Sequence, residues 1–309
     1  MSSNFNFLQY ESNIIAKIQH YRTPILDTIF VSIGKLFMHK TYLLFLPTLY
    51  WFPSHSTHQF KNHRVDIHQL YARGILFLIC FGVYFTGFMK DLFAIKRPVP
   101  PACQLSENPQ TCLEYGFPST HSLHAIAILL YSVSFYCEFV NVDADSKIIY
   151  FMGVCIALLV GFSRIYTGMH SFSDVAGGFM GGFILYHIFW NHGMTAMEEF
   201  LFDSGLSGVM YSILLAVMFL VCHPNPKKCP CINDSVAAIG ALLGILFGGM
   251  LTSKQEIVWS QVGFLGGFQK LFIGTIMLQI WKLLSKYTLS QCVKYFNIFK
   301  SNQSVILMH

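Results

Sequence analysis

The sequence predicts an all-α protein, a polytopic bundle of about eight membrane-spanning helices. Three observations predict it. Hydrophobic residues fill 54% of the 309 positions and aromatic ones 16%, while charged side chains fill only 11%; a water-facing domain carries about 25% charged residues. Apolar runs recur at lengths near the roughly 20 residues that cross a ~30 Å hydrocarbon core as a helix. Between these runs lie polar segments that hold many of the basic and histidine residues. The same composition excludes a disordered chain and a small disulfide scaffold. With 20 Lys+Arg against 15 Asp+Glu, and no basic stripe along a helical face, nucleic acid is excluded as a partner.

In chain order, residues 1–22 read as an N-terminal extramembrane segment, with no basic cluster and small-residue cleavage site to mark a removable leader. Pro24–Phe52 is apolar but interrupted by Lys35, His39 and Lys40, so it is either one long broken span or a tight pair. Ser54–Gln69 is polar and rich in histidine. Spans are expected at Gly74–Met89, Leu123–Val140, Ile148–Phe162, Phe172–Trp190, Val209–Cys222, Val236–Leu251 and Val262–Leu284. Residues 23–190 form the part that carries chemistry, 191–285 add further helices, and 286–309 are a tail. Gly177, Gly178, Gly181 and Gly182, like Gly244, Gly248 and Gly249, fall inside spans, where small residues let helices approach closely.

Nine cysteines are scattered along the chain. Cys80, Cys155 and Cys222 lie in apolar runs and read as small buried hydrophobes. Cys103 and Cys112 share one polar loop and would be able to pair in an oxidising lumen. Cys229 and Cys231, with His223, form a C-x-C too sparse to indicate zinc. No metal is expected.

The chemistry concentrates at the span ends. Lys90, Lys96 and Arg97 follow one span, Ser119 and His121 precede the next, and Ser163, Arg164, His170 and Asp174 separate two later ones. Two crossings separate the first cluster from the third, so all three face the same side of the membrane. Polar groups at such positions are functional candidates by default, because charge beside hydrocarbon is costly. Each basic cluster alone would equally mark a cytosolic flank. Together, Lys90, Arg97 and Arg164 would gather three positive charges that a multiply charged anion stabilises, and phosphate suits the fork of arginine and the point charge of lysine. Ser119 lies where a helix begins, so its hydroxyl and the neighbouring N–H groups face an anion-binding helix end. His170 and Asp174, four residues apart, would share a helical face, with the carboxylate holding one imidazole nitrogen and the other left as nucleophile or base. His121 is placed to protonate a leaving oxygen.

These residues spell three motifs: Lys90-x6-Arg97-Pro98, Pro118-Ser119-Thr120-His121 and Ser163-Arg164-x5-His170-x3-Asp174. The ordered triple resembles the signature of the type 2 phosphatidic-acid phosphatase superfamily. The wording Glu114-Tyr-Gly-Phe-Pro-Ser-Thr-His121 and Ser163-Arg-Ile-Tyr-Thr-Gly-Met-His170 is most similar to its sphingosine-1-phosphate phosphatase branch. Where many relatives have Gly in the second motif this chain has Thr120, which reads as a mark of that branch. The resemblance implies a six-helix phosphatase core in which His170 forms a phosphohistidine, oriented by Asp174, and His121 protonates the leaving alkoxide and later activates water. It implies a phosphate-binding set of Lys90, Arg97, Ser119, Thr120 and Arg164, no metal or other cofactor, and a phosphorylated sphingoid-base lipid as substrate. It also implies the endoplasmic reticulum, with the site facing the lumen. Two alternatives stay open from the residues themselves: a broader phosphatidic or lysophosphatidic acid phosphatase, and a non-enzymatic transporter or scaffold that retains the fold.

Overall fold

The computed structural model describes residues 2–52, 54, 56–60, 63–105, 113–141, 145–224, 229–252, 265–281 and 283–284. Helices α1 (Ser2–Gln19), α2 (Pro24–Leu36) and α3 (His39–Trp51) come first. The interrupted apolar stretch is thus a helix pair. Thr23 caps α2 by accepting from the Leu26 N–H, and Pro24 takes the first position, where a missing N–H costs nothing. A short antiparallel hairpin, β1 (Thr57–Gln59) with β2 (Arg64–Asp66), fills the polar His-rich segment. It ends on Asp66, whose carboxylate accepts from the His68 and Gln69 N–H groups and so starts α4 (Ile67–Phe93). Then follow α5 (Thr120–Phe135), continued by a π-helical turn to Val140, and α6 (Ser146–Tyr166). After these come α7 (Phe172–Ile188), α8 (Met194–Asp203), α9 (Gly205–Cys222) and α10 (Cys231–Thr252).

Five described helices are long and apolar enough to cross a membrane: α4, α5 with its π turn, α6, α9 and α10. About eight are expected from the sequence. Helix α7 has 17 residues, and α2 and α3 have 13 each, while the last expected span lies partly outside the described residues. The outer faces of α6, α7 and α9 expose Leu158, Leu159, Phe183, Ile184, Leu214 and Val217, as a lipid-facing surface requires. The chain is an integral membrane protein. Cys155 and Cys222 also lie on such outer faces, so only Cys80 of the three is a buried hydrophobe. Apolar sequence in a span does not separate lipid contact from core. Cys112 and the tail 286–309 fall outside the described residues.

At the centre, α5 packs against α6 and α7, and α4 packs against α3, α5 and α10. Leu70, Leu78, Leu123, Tyr131, Phe135 and Phe189 form the shared core. Gly178 and Gly182 let α7 close on the first turns of α5: a Cβ at either would strike the carbonyl of Ser119 or Leu123. For Gly244 and Gly248 a Cβ meets nothing within 4 Å among the described residues. The core also holds an ion pair absent from the sequence expectations. Arg73 Nε donates to Glu198 Oε1 at 2.7 Å and Nη2 donates to Oε2, with both side chains buried. It ties α4 to α8, so helices on both sides of residue 190 share one core.

Candidate active site

One end of the bundle collects the C-terminal turns of α4 and α6 and the N-terminal turns of α5 and α7, the arrangement that the parity of crossings requires. Lys90 sits in the last turn of α4. The helix stops at Ala94, whose φ of 51° is left-handed, and the chain reverses to bring Arg97 back over the site. Ser119 caps α5 and Ser171 caps α7, so two positive helix ends point into the same volume. Lys90, Arg97, Arg164, His170 and Asp174 are all buried.

His170 lies two residues before α7 rather than on a shared helical face, because the helix begins only at Phe172. The pair with Asp174 forms by a different route. Ser171 and Asp174 make a reciprocal capping box, Ser171 N–H donating to Asp174 Oδ2 at 2.9 Å, and this holds the carboxylate back against the preceding loop. Asp174 Oδ2 is then 3.4 Å from His170 Nδ1. On the other side of the ring, Arg97 Nη1 is 3.2 Å from His170 Nε2 and also donates to the Met169 carbonyl at 2.6 Å. A guanidinium only donates, so Nε2 is the accepting nitrogen in that contact. A neutral ring accepting at Nε2 carries its proton on Nδ1, the nitrogen that faces Asp174. Burial first, then the charges of Arg97, Arg164, Lys90 and His121, hold the His170 pKa well below the usual histidine range. The ring is therefore neutral near pH 7 with its Nε2 lone pair directed among the cations.

Arg164 is buried against α2, where a Cβ at Gly34 would come within 2.6 Å of its Nη1. Its carbonyl accepts the His170 N–H at 3.2 Å. His121 lies in the first turn of α5, and its charge acts on His170. The hydroxyls of Ser119 and Thr120 are engaged at the helix start. Ser119 Oγ accepts from the Ser122 hydroxyl at 3.0 Å, and Thr120 Oγ1 donates to Thr86 Oγ1 on α4 at 3.0 Å. The backbone N–H of Ser119 donates to the Asp174 carbonyl at 3.0 Å, joining the second motif to the third.

Sequence reasoning left two participants without a role. Glu114 places its carboxylate between the cations, 2.8 Å from Lys90 Nζ and 3.5 Å from Arg97 Nη2, where an anion of the substrate would also sit. Its position in the stretch leading into the second motif is the signal that could have found it. Glu11 of α1 accepts from Ser173 N–H and Oγ, both at 2.9 Å, and nothing in the motifs points to it.

The chain is 32% identical over 291 residues to a dihydrosphingosine 1-phosphate phosphatase of Schizosaccharomyces pombe, an alignment that covers 90% of this chain and 67% of that one. Residues 71–197 match the model of the PAP2 superfamily. The chain belongs to the PAP2 superfamily. A dihydrosphingosine 1-phosphate phosphatase of Saccharomyces cerevisiae is 27% identical over 296 residues, covering 92% of this chain and 69% of its own. The crystal structure of a transmembrane PAP2 type phosphatidylglycerolphosphate phosphatase from Bacillus subtilis superposes with a TM-score of 0.44 at 22% identity, over 60% of this chain and 92% of that one. The PAP2 match spans all three motifs, helices α5, α6 and α7, and α4 from residue 71 onward.

Proposed function

We propose that this protein is a phosphoric monoester hydrolase that removes phosphate from sphingosine 1-phosphate and related phosphorylated sphingoid bases. The observation that carries the reading is the placement of His170, with Nδ1 3.4 Å from Asp174 Oδ2 and Nε2 3.2 Å from Arg97 Nη1, inside a cluster of three cations. Nε2 attacks phosphorus along the line of the leaving oxygen. The P–O bond breaks as the P–N bond forms, and His121 supplies the proton that the alkoxide takes. His121 then draws a proton from water, which attacks the phosphohistidine, releases phosphate and returns the electron pair to Nε2. Lys90, Arg97 and Arg164 stabilise the equatorial oxygens as charge spreads over them, with Ser119 and Thr120 at the helix end beneath, so the charge compensation falls to side chains and backbone dipoles. Glu114 must yield the Lys90 and Arg97 donors when phosphate enters.

The substrate class follows the two yeast relatives, each named for dihydrosphingosine 1-phosphate. A single-chain lipid also suits a site at the end of the bundle, where the headgroup stays at the interface while the tail gains about 0.8 kcal/mol per buried CH₂. We place the protein in the endoplasmic reticulum with the site in the lumen, following the same branch. The test is phosphate release by purified full-length protein, without added divalent metal, from sphingosine 1-phosphate and from phosphatidic acid, in wild type and His170→Ala. Release from the sphingoid substrate that disappears in the variant is expected. Equal release from both lipids overturns the substrate claim, and release that survives in His170→Ala overturns the mechanism.

A further inference from the structure

Asp91 follows Lys90 on α4 but belongs to a different cluster. Its carboxylate and the sulfurs of Cys229 and Cys231 lie within 4.8 Å of one another, and all three residues are buried. Cys229 donates to Cys231 at 2.6 Å, and the two sulfurs would move apart to the edge of about 3.7 Å that thiolates take on one tetrahedral ion. His223, the first residue after α9, brings Nδ1 to 3.7 Å from Asp91 Oδ2. Gly87, one turn before Asp91, makes the approach possible: a Cβ there would strike Ser235 Oγ, the hydroxyl that holds His223 Nε2. The rings of Tyr84 and Phe88 pack edge-on against His223 and wall the cluster with apolar surface.

Among the described residues Asp91 has His223 Nδ1 at 3.7 Å as its ion-pair partner, too long for a hydrogen bond, and a bound cation would stabilise it further. Asp91 is 5% exposed, and neither carboxylate oxygen has a hydrogen-bond partner among the described residues. The neighbouring ammonium of Lys90 is directed to Glu114 instead. An uncompensated buried carboxylate costs several kcal/mol, and oxidation of the two cysteines to a disulfide would leave that cost in place. A divalent ion removes it. Two thiolates, one carboxylate and one imidazole match zinc rather than magnesium or calcium, which take oxygen ligands.

We infer that Asp91, Cys229, Cys231 and His223 bind a zinc ion that pins the end of α4 to the start of α10. The 3.7 Å between His223 Nδ1 and Asp91 Oδ2 fits an edge of a tetrahedral shell with bonds of about 2 Å. On binding, Nδ1 gives up its 2.7 Å contact with the Pro224 carbonyl, while Nε2 keeps Ser235 Oγ at 3.0 Å as the outer hydrogen bond that sets the ring. The C-x-C alone is too sparse to signal such a site, because its third ligand stands on α4, far away in sequence. The ion has a structural role here, and the inference does not depend on the catalytic reading.

The test is the zinc content of the purified full-length protein by mass spectrometry, with peptide mapping of the two cysteines. About one zinc per chain is expected in wild type, falling about fivefold or more in Asp91→Asn and in the Cys229→Ser/Cys231→Ser double variant. Zinc at background in folded wild type, even after incubation with zinc salt, overturns the inference, as does a Cys229–Cys231 disulfide. Should the variants fail to fold, cobalt substitution of wild type decides: thiolate-to-cobalt charge-transfer absorption supports the site and its absence refutes it.

Discussion

Replacing Asp174 by Asn removes one charge and leaves nearly everything else in place. The same oxygen, Oδ2, accepts the Ser171 N–H at 2.9 Å and faces His170 Nδ1 at 3.4 Å, and an amide oxygen in that position keeps both contacts. The cap of α7 therefore survives, and stability should change by less than about 1 kcal/mol. What is lost is the compensation of the imidazolium that appears when Nε2 bonds to phosphorus. For unit charges 3.4 Å apart and an effective dielectric near 20, that compensation is roughly 5 kcal/mol. Because about 1.36 kcal/mol is one decade in rate, kcat should fall by roughly 10³–10⁴ with KM little changed. The assay is phosphate release against substrate concentration, with a thermal melt in the same detergent. A folded Asp174→Asn protein that keeps more than about a tenth of wild-type kcat would refute the role given to the carboxylate.

Three further predictions concern the site and its support. Arg73→Met leaves Glu198 buried without its partner and should cost about 3–5 kcal/mol in detergent unfolding, whereas Arg73→Met with Glu198→Leu should recover most of that loss. A double variant no more stable than the single one contradicts the pairing argument. The His170 pKa lies below its unfolded value of about 6.5, so the unfolded chain binds a proton that the native state excludes, and stability should decline as pH falls below about 6.5. Melting temperatures at several pH values should show a shallower acid decline in His170→Asn, and an equal slope in both proteins would count against the buried neutral ring. Glu114→Gln removes the carboxylate that competes for Lys90 and Arg97, so inorganic phosphate should inhibit roughly tenfold more strongly; unchanged product inhibition would show that Glu114 is not in the anion's way.

The catalytic end of the bundle was legible because its residues recur at fixed short spacings beside span ends, and parity then brings Lys90, Ser119 and His170 to one side without any coordinates. One helix start was legible for a related reason, Ser119, which caps by a contact within three residues, whereas the caps Asp66 and Ser171 were not read and α4 begins seven residues before the expected Gly74. Pairings between distant segments were not legible. Arg73 finds Glu198, Asp91 faces Cys229, and Glu114 reaches back to Lys90, all across separations that carry no periodic signal. The outward placement of Cys155 and Cys222 was missed for a different cause, since lipid and protein core favour the same side chains. His170 shows the finest difference: the spacing to Asp174 suggested a shared helical face, whereas a capping box in a tight loop produces the contact.

Helix α1 binds two motif-bearing loops that do not otherwise belong to one segment. Ser12 accepts the Val99 N–H at 3.1 Å and Gln19 joins the backbone of Cys103 to the carbonyl of Tyr166, while Glu11 holds Ser173. It thus acts as a splint across the first and third motifs although it carries none of their residues and lies outside the 71–197 match. Family boundaries here mark where the chemistry is written, and the unit that keeps it aligned is longer. A fragment cut to those boundaries would retain every reacting group and lose the brace that sets their spacing.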